Sequence, residues 1–386
     1  MIILLIALLF LTPPLAFYLG YQLHRRKEKR FRRRWLRRIP RSYFVGLNFL
    51  LNDETDKAVD IFTKMLGVDS DTIETHLAVG KLFRRKGEVD RAIRIHQNLI
   101  ARAQLPKRYR EQSMYELGQD YLSAGVLDHA EKIFVELINS KSYAHAALKM
   151  LIDIYQQERD WYNALKMAKQ YETLTQHDMR HIITHCYCEI AESAASKEEI
   201  KEAECAVQEA LLVDATSVRA SLLQAKFYMQ RDRYKEALCS LLQISDRNLA
   251  HFSESVKLLA LCYEKLGLEE ELMVEFKRLL EQQPSVALAL VLAERIHKVN
   301  GSKVALIFVL DYVRRHPSLR GLYLLINFYT FTAEEHAKQD LSILQNLMNK
   351  ILSQKPDYQC KGCGFASHKL HWQCPGCRQW DTVVEG

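Results

Sequence analysis

From Ser113 to Leu137 the apolar and small residues fall at helical spacing twice in succession. Met114, Leu117, Gly118 and Tyr121 share one helix face, and Ala130, Phe134 and Leu137 share a second. The stretch therefore predicts a helix, a turn and another helix. Gly118 and Ala130 are small enough for the paired helices to approach closely, while Tyr121 and Phe134 fill the space beside them. One such hairpin cannot bury its own apolar face, so the pattern also predicts neighbours stacked against it.

The chain supplies them. With the small residue of the second helix as a ruler, Ala58, Ala92, Ala130, Ala164, Ala203, Ala237, Leu272 and Ala305 recur at spacings of 34, 38, 34, 39, 34, 35 and 33 residues. Other positions repeat with them: Gly46 with Ala58 and Phe62; Gly80, Phe83 and Gly87 with Ala92; Ala260, Tyr263 and Gly267 with Phe276 and Pro284. The slots are those of the tetratricopeptide pattern, with Met114 where that pattern has Trp. About eight hairpins are expected, with longer turns at the 38- and 39-residue steps. The fold class is all-α, an α-solenoid occupying residues 42–355. Leu322 to Thr330 and Asp340 to Gln354 read as closing helices, and Lys355 and Pro356 end the helical region.

Residues 1–23 break this pattern by being apolar throughout. A helix of that length is roughly 33 Å long at ~1.5 Å per residue, enough to cross a bilayer core. The segment predicts a transmembrane helix, kinked at Pro13 and Pro14, and not a cleaved signal, because its positive charge follows the apolar run. Residues 24–41 form a basic arm. Between Arg25 and Arg41 stand eleven Lys and Arg against Glu28 alone, a net +10, whereas the whole chain carries +7. The remainder is thus mildly acidic, which argues against a nucleic-acid partner. The positive-inside bias places the amino terminus outside and the rest of the chain in the cytoplasm, as a single-pass protein. The arm, with Phe31 and Trp35, could also grip anionic headgroups.

Candidate chemistry concentrates at the other end. In residues 356–386, Cys360 and Cys363 form one C-x2-C, and Cys374 and Cys377 form another ten residues on. Four thiolates at this spacing are the ligand set of a structural zinc or mononuclear iron site, with Gly364 allowing the backbone to turn toward the sulfurs. The short spacing favours zinc, one ion per chain. A segment this small has little core of its own, so the metal is expected to supply much of its folding energy. His368 and His371 are then left outside a completed ligand set. Placed beyond the stack, the segment would cap it and present Trp372 and Trp380 as a second contact surface.

Elsewhere, His181 and His185 are spaced i, i+4 near His177, Cys186 and Cys188 and could face a metal, although an ordinary helix surface produces the same spacing. Cys186, Cys188, Cys205, Cys239 and Cys262 lie within helical patterns and read as small buried apolar residues. Trp161, Tyr162 and Tyr171 read as core between repeats. There is no Walker loop, dinucleotide fingerprint, H-E-x-x-H or G-x-S-x-G motif, so no catalytic or cofactor-binding residues are assigned and an enzyme is not expected.

The amino-terminal anchor, the repeat stack and the terminal C-x2-C-G-F…W-x-C-P-x-C segment together resemble one bacterial family, lipopolysaccharide assembly protein B. The likeness is specific at Tyr43 to Phe62, at Gly87 to Gln97 and at Cys360 to Trp380. It implies a Gram-negative inner-membrane protein whose four cysteines ligate the metal of a rubredoxin-like module, which keeps iron open as the ion. It also implies an adaptor that brings the deacetylase LpxC to the membrane protease FtsH and associates with lipopolysaccharide export proteins and a membrane regulator. An iron tetrathiolate can cycle one electron, so a redox or electron-transfer protein on a solenoid scaffold is the competing class.

Overall fold

The computed structural model describes residues 41–51, 54, 57, 61 and 73–385, apart from 104, 248–250 and 283. The expected membrane span, the basic arm up to residue 40, Ala58 and Phe62 lie outside the described residues. Among the described residues no helix is long and apolar enough to cross a membrane. The chain divides into two compact units, residues 1–151 and 152–386.

The first unit contains α1 (Arg41–Leu51), α2 (Ile73–Arg85), α3 (Val89–Ile100), α4 (Lys107–Ser123), α5 (Leu127–Leu137) and the start of α6 (Ala144–Glu158). Val79 and Phe83 of α2 pack on Ala92 and Ile95 of α3. A Cβ added at Gly118 of α4 would come within 2.6 Å of the Phe134 ring of α5, so the close approach read from the sequence is real. A buried charge network ties successive hairpins together. Arg84 donates to Asp120 at 2.6 Å and to Glu116 at 2.7 Å, and Asp120 also meets His96, with both of these last two groups fully buried.

The second unit continues from α6 through α7 (Trp161–Thr175), α8 (Arg180–Ser196), α9 (Ile200–Val213), α10 (Val218–Gln230), α11 (Tyr234–Arg247), α12 (Ser253–Leu266), α13 (Glu269–Gln282), α14 (Val286–Asn300) and α15 (Ser302–Arg315). The two closing helices form a further hairpin, α16 (Leu319–Thr332) and α17 (Glu335–Gln354), and α16 starts where the Ser318 hydroxyl accepts the Gly321 amide at 3.0 Å. Of the ruler residues, Ala92, Ala130, Ala164, Ala203, Ala237, Leu272 and Ala305 are all buried. Trp161 packs against the core around Cys188, Ala203 and Phe227, as expected, but Tyr162 is 60% exposed and reaches Glu202 on the surface, so that residue is not inter-repeat core.

Six hairpins turn by one device. Five residues before the ruler position, Gly87, Gly125, Arg159, Glu198, Asp232 and Gly267 all adopt positive φ, between 57° and 82°. The next residue then donates its amide five positions back, as Glu88 does to Phe83 at 2.9 Å and Glu199 to Ala194 at 3.0 Å. This is the Schellman ending of the first helix, and it aims the chain into the second. Only three of the six use glycine, the residue that enters this conformation without cost.

After α17 the chain forms a small antiparallel sheet, β1 (Tyr358–Cys360), β2 (Ala366–Ser367) and β3 (Val383–Glu385), in the order β2-β1-β3. Its core is Cys360, Cys374 and Val383, with Tyr358, Phe365 and Leu370 packed around them.

Candidate metal centre

The two C-x2-C segments fold as the same knuckle. In the first, the Cys360 amide donates to Phe365 O at 2.7 Å and the Gly364 amide returns to Cys360 O at 3.0 Å. In the second, the Cys374 amide donates to Gln379 O at 2.9 Å and the Arg378 amide returns to Cys374 O at 2.8 Å. The fifth residue of each knuckle is left-handed, φ 77° at Gly364 and 59° at Arg378. A Cβ at Gly376 would approach Cys363 Sγ to 3.1 Å, so this glycine keeps space beside a sulfur.

The knuckles bring four sulfurs together. Cys360 Sγ lies 3.7 Å from Cys377 Sγ, Cys363 Sγ lies 3.6 Å from Cys374 Sγ, and all four are within 4.8 Å of one another. Four thiolates about 2.3 Å from a tetrahedral ion would be about 3.8 Å apart, so the donor set and its spacing fit a metal. The local field prepares one ligand: the Thr382 hydroxyl 3.3 Å away, aided by the Cys363 and Gly362 amides, holds Cys360 at about 6, below the ordinary thiol range. The Phe365 amide favours the Cys363 thiolate, yet desolvation and the crowding sulfurs push that thiol up to about 11. Crowded thiols that cannot all ionise together call for a cation among them.

The module does not stand off as a cap. It packs against a row of residues on the first helices of successive hairpins in the second unit. Gln156 of α6 accepts from Gln373 at 2.8 Å and from Trp380 Nε1 at 3.2 Å. From α8, His181 and His185 reach Asp381, while His185 also stacks on Trp380. Arg219 of α10, only 3% exposed, has its guanidinium 5.8 Å from the centroids of both Trp372 and Trp380, and it donates to Glu189 at 2.7 Å and Glu192 at 2.9 Å. His251, just before α12, bonds to the Val383 carbonyl at 3.0 Å, and Tyr358 donates to Glu254. Arg320 of α16 pairs with Asp357 at 2.8 Å and with Glu385.

This corrects three expectations. Trp380 is 8% exposed and Trp372 packs on the helical core, so neither forms an outward contact surface. What the module exposes is its knuckle tips, including Gly362, Cys363, Pro375 and Gly376. His185 is not on an ordinary helix surface but 2% exposed under the module. Among the remaining cysteines, Cys186, Cys188 and Cys262 are buried, and burial pushes the first two up to about 12, which makes them inert packing. Cys205 and Cys239 are exposed and do not pack. The docking residues Gln156, Arg219, His251 and Arg320 have no sequence signal of their own, beyond the oddity of Arg219 between Val218 and Ala220 at the start of an apolar helix.

A cleft of about 780 Å³ opens beside the module, its rim carrying Ser285, His316, Ser318, Arg320, Lys355 and Lys361. The cationic side chains there outnumber the one acid, Glu385.

Comparison with known proteins agrees with this organisation. Residues 358–385 match the rubredoxin metal binding domain family, and residues 75–108 match the tetratricopeptide repeat family. Lipopolysaccharide assembly protein B of Escherichia coli strain K12 is 35% identical over 377 residues, covering 97% of each chain. The protein of the same name from Haemophilus influenzae is 31% identical over 387 residues, covering 98% of each. Among solved structures, a tetratricopeptide repeat protein from Parabacteroides merdae aligns with a TM-score of 0.32 at 15% identity, over 67% of this chain and 100% of that one.

Proposed function

The chain belongs to the lipopolysaccharide assembly protein B family, and from that premise we propose that it is a membrane-tethered adaptor in lipopolysaccharide assembly and not a catalyst. In this reading residues 1–23 anchor it in the inner membrane and residues 24–41 lie against the cytoplasmic headgroups. The helical hairpins present binding surface to protein partners. The partners are the protease FtsH and the deacetylase LpxC, whose turnover the adaptor promotes, together with lipopolysaccharide export proteins and a membrane regulator. Tethering makes such a scaffold effective at modest affinity, because a partner held on it shares a small volume with other membrane proteins.

The observation that carries the reading is the match along 97% of both chains, which takes in the amino-terminal segment, the hairpins and the metal module together. The docked module supports it. Its four cysteines hold one zinc ion, and when bound the ion crosslinks the two knuckles. Trp372, Trp380, Asp381 and Val383 then clasp the first helices of several successive hairpins, so metal loading and the rigidity of the second unit are linked. The basic cleft beside the module suits an acidic segment of a partner protein.

Deacetylase half-life tests the reading in three strains: one lacking residues 1–23, one re-tethered by an unrelated transmembrane helix, and one carrying Cys374→Ser with Cys377→Ser. The first and third are expected to lengthen the half-life, and the second to restore it. An unchanged half-life in both the untethered and metal-free strains would overturn the adaptor mechanism.

A further inference from the structure

His181 and His185 lie one turn apart on α8, so their imidazoles leave the same face of the helix. Neither is close in sequence to Asp381, yet the docked module carries that carboxylate to both of them. Its Oδ2 is 3.0 Å from His181 Nε2 and 3.0 Å from His185 Nε2, and the three donor atoms lie within 4.8 Å of one another. We propose that His181, His185 and Asp381 form a second metal site, separate from the four-cysteine centre, that takes a divalent transition cation of the zinc class at the seam between α8 and the module.

The donor chemistry suits that ion. Two imidazole nitrogens and one carboxylate oxygen are borderline ligands of the kind zinc accepts, and three protein ligands leave one position for water. With metal–ligand bonds of about 2.0–2.2 Å, a tetrahedral ion would separate nitrogen from oxygen by about 3.3 Å. The observed 3.0 Å needs to open by only a few tenths of an ångström. The three groups are also held in place beforehand. The His185 ring lies on Trp380 at 4.3 Å and 11°. Asp381 is held by its amide, which donates to the Trp372 carbonyl at 2.8 Å, and by a left-handed backbone at φ 53°.

Charge points the same way. Among the described residues, the salt-bridge partners of Asp381 are these two histidines and no Lys or Arg. Burial, with Arg219 nearby, disfavours a second proton on His185, so the carboxylate faces one imidazole that stays neutral. A bound cation would satisfy the carboxylate and both nitrogens at once. His181 is about half exposed, which gives the ion a path in and the fourth position access to water.

The test uses the full-length protein, equilibrated at neutral pH in a zinc-buffered solution, with bound metal measured per chain. The parent is expected to hold two equivalents. His181→Gln should hold one, since the amide can still bond to Asp381 and the site is half exposed, so docking survives while a ligand is lost. Asp381→Asn should also hold one. In cobalt-exchanged protein the second equivalent should add ligand-field bands without the sulfur-to-metal charge transfer that marks the four-cysteine centre. One equivalent in the parent at saturating zinc would overturn the proposal and leave the three residues a hydrogen-bonded latch. A second equivalent that persists in both variants would overturn it as well, by placing that ion elsewhere.

Discussion

Trp380 and His185 lie ring on ring, their centroids 4.3 Å apart and their planes 11° from parallel, although 195 residues separate them in the chain. The contact joins the last β-rich segment to the middle of the helical stack, and Trp161 meets the same ring at 6.1 Å with the two planes 63° apart. Trp380 is therefore the anchor of an internal interface. Trp380→Ala should weaken docking by about 3 kcal/mol, the usual scale for deleting a large buried aromatic. Hydrogen exchange would show faster exchange at β3 and along α8, with α2 to α5 unchanged.

Arg219 is the second anchor, and its charge and its flat faces contribute separately. Its contacts with the two tryptophans, made by a guanidinium that Glu189 and Glu192 of α8 hold in place, predict that Arg219→Ala loses about 2 kcal/mol of docking. Arg219→Lys keeps the charge but loses the planar stacking and should recover less than half of that. Intrinsic tryptophan fluorescence, shifting to the red as Trp372 and Trp380 meet water, reports both. A lysine variant indistinguishable from the parent would show that the planar contact is unimportant.

The repeated turns predict where stability can be gained. Glu198 occupies with φ 65° the position that Gly87, Gly125 and Gly267 fill in other hairpins. A side chain in that conformation costs about 1 kcal/mol or more. Glu198→Gly should therefore stabilise the second unit by about 1 kcal/mol, and Gly125→Ala should destabilise the first by a similar amount. Denaturant titration of the two single variants measures both, and the same sign for both would contradict the argument.

Replacing Cys374 and Cys377 by Ser should remove the ion from the four-cysteine centre and unfold β1 to β3, because that small core is built on two of the cysteines themselves. The far-ultraviolet helical signal should remain, since the hairpin cores around Ala203 and Phe276 contain no metal ligand. Metal analysis and circular dichroism read the two effects separately. Colour in the parent identifies iron; its absence identifies zinc.

The features legible in the sequence were the local ones. The ruler alanines announced themselves because each sits where two helices touch, and the same demand recurs about every 34 to 39 residues. The four cysteines did so because both ligand pairs are closed by short loops. Docking was not legible, since Asp381 and His185 meet only through the tertiary fold. Arg219 is buried by two tryptophans that come from more than 150 residues further along the chain. Arg378 and Glu198 were hidden for another reason: the knuckle and the turn need a backbone conformation that glycine favours, but here residues with side chains adopt it, within local bonds from Arg378 to Cys374 and from Glu199 to Ala194.

The same seam predicts how docking responds to pH when no zinc is present in excess. His181 is raised above its ordinary value, first by its hydrogen bond to Asp381, so its contribution is fully present below about pH 6.5 and is lost as pH rises through the raised value. His185 is lowered, first by burial; the undocked chain takes up its proton more readily, so docking weakens as pH falls from about 6.5 toward the lowered value. Asp381 is held well below the usual carboxylate range by the two histidines and adds a loss only in stronger acid, below about pH 4. The charged neighbours facing the pair are Arg219, Asp178 and Asp214, and the arginine acts in the same sense as burial on His185. Docking should thus be tightest near pH 6.5 and weaken on both sides. His181→Gln should flatten the alkaline limb, and His185→Gln should flatten the acid limb. Tryptophan emission followed from pH 5 to 8 in the parent and both variants would separate the limbs, and a parent profile with no maximum would remove the histidine pair from the account of docking.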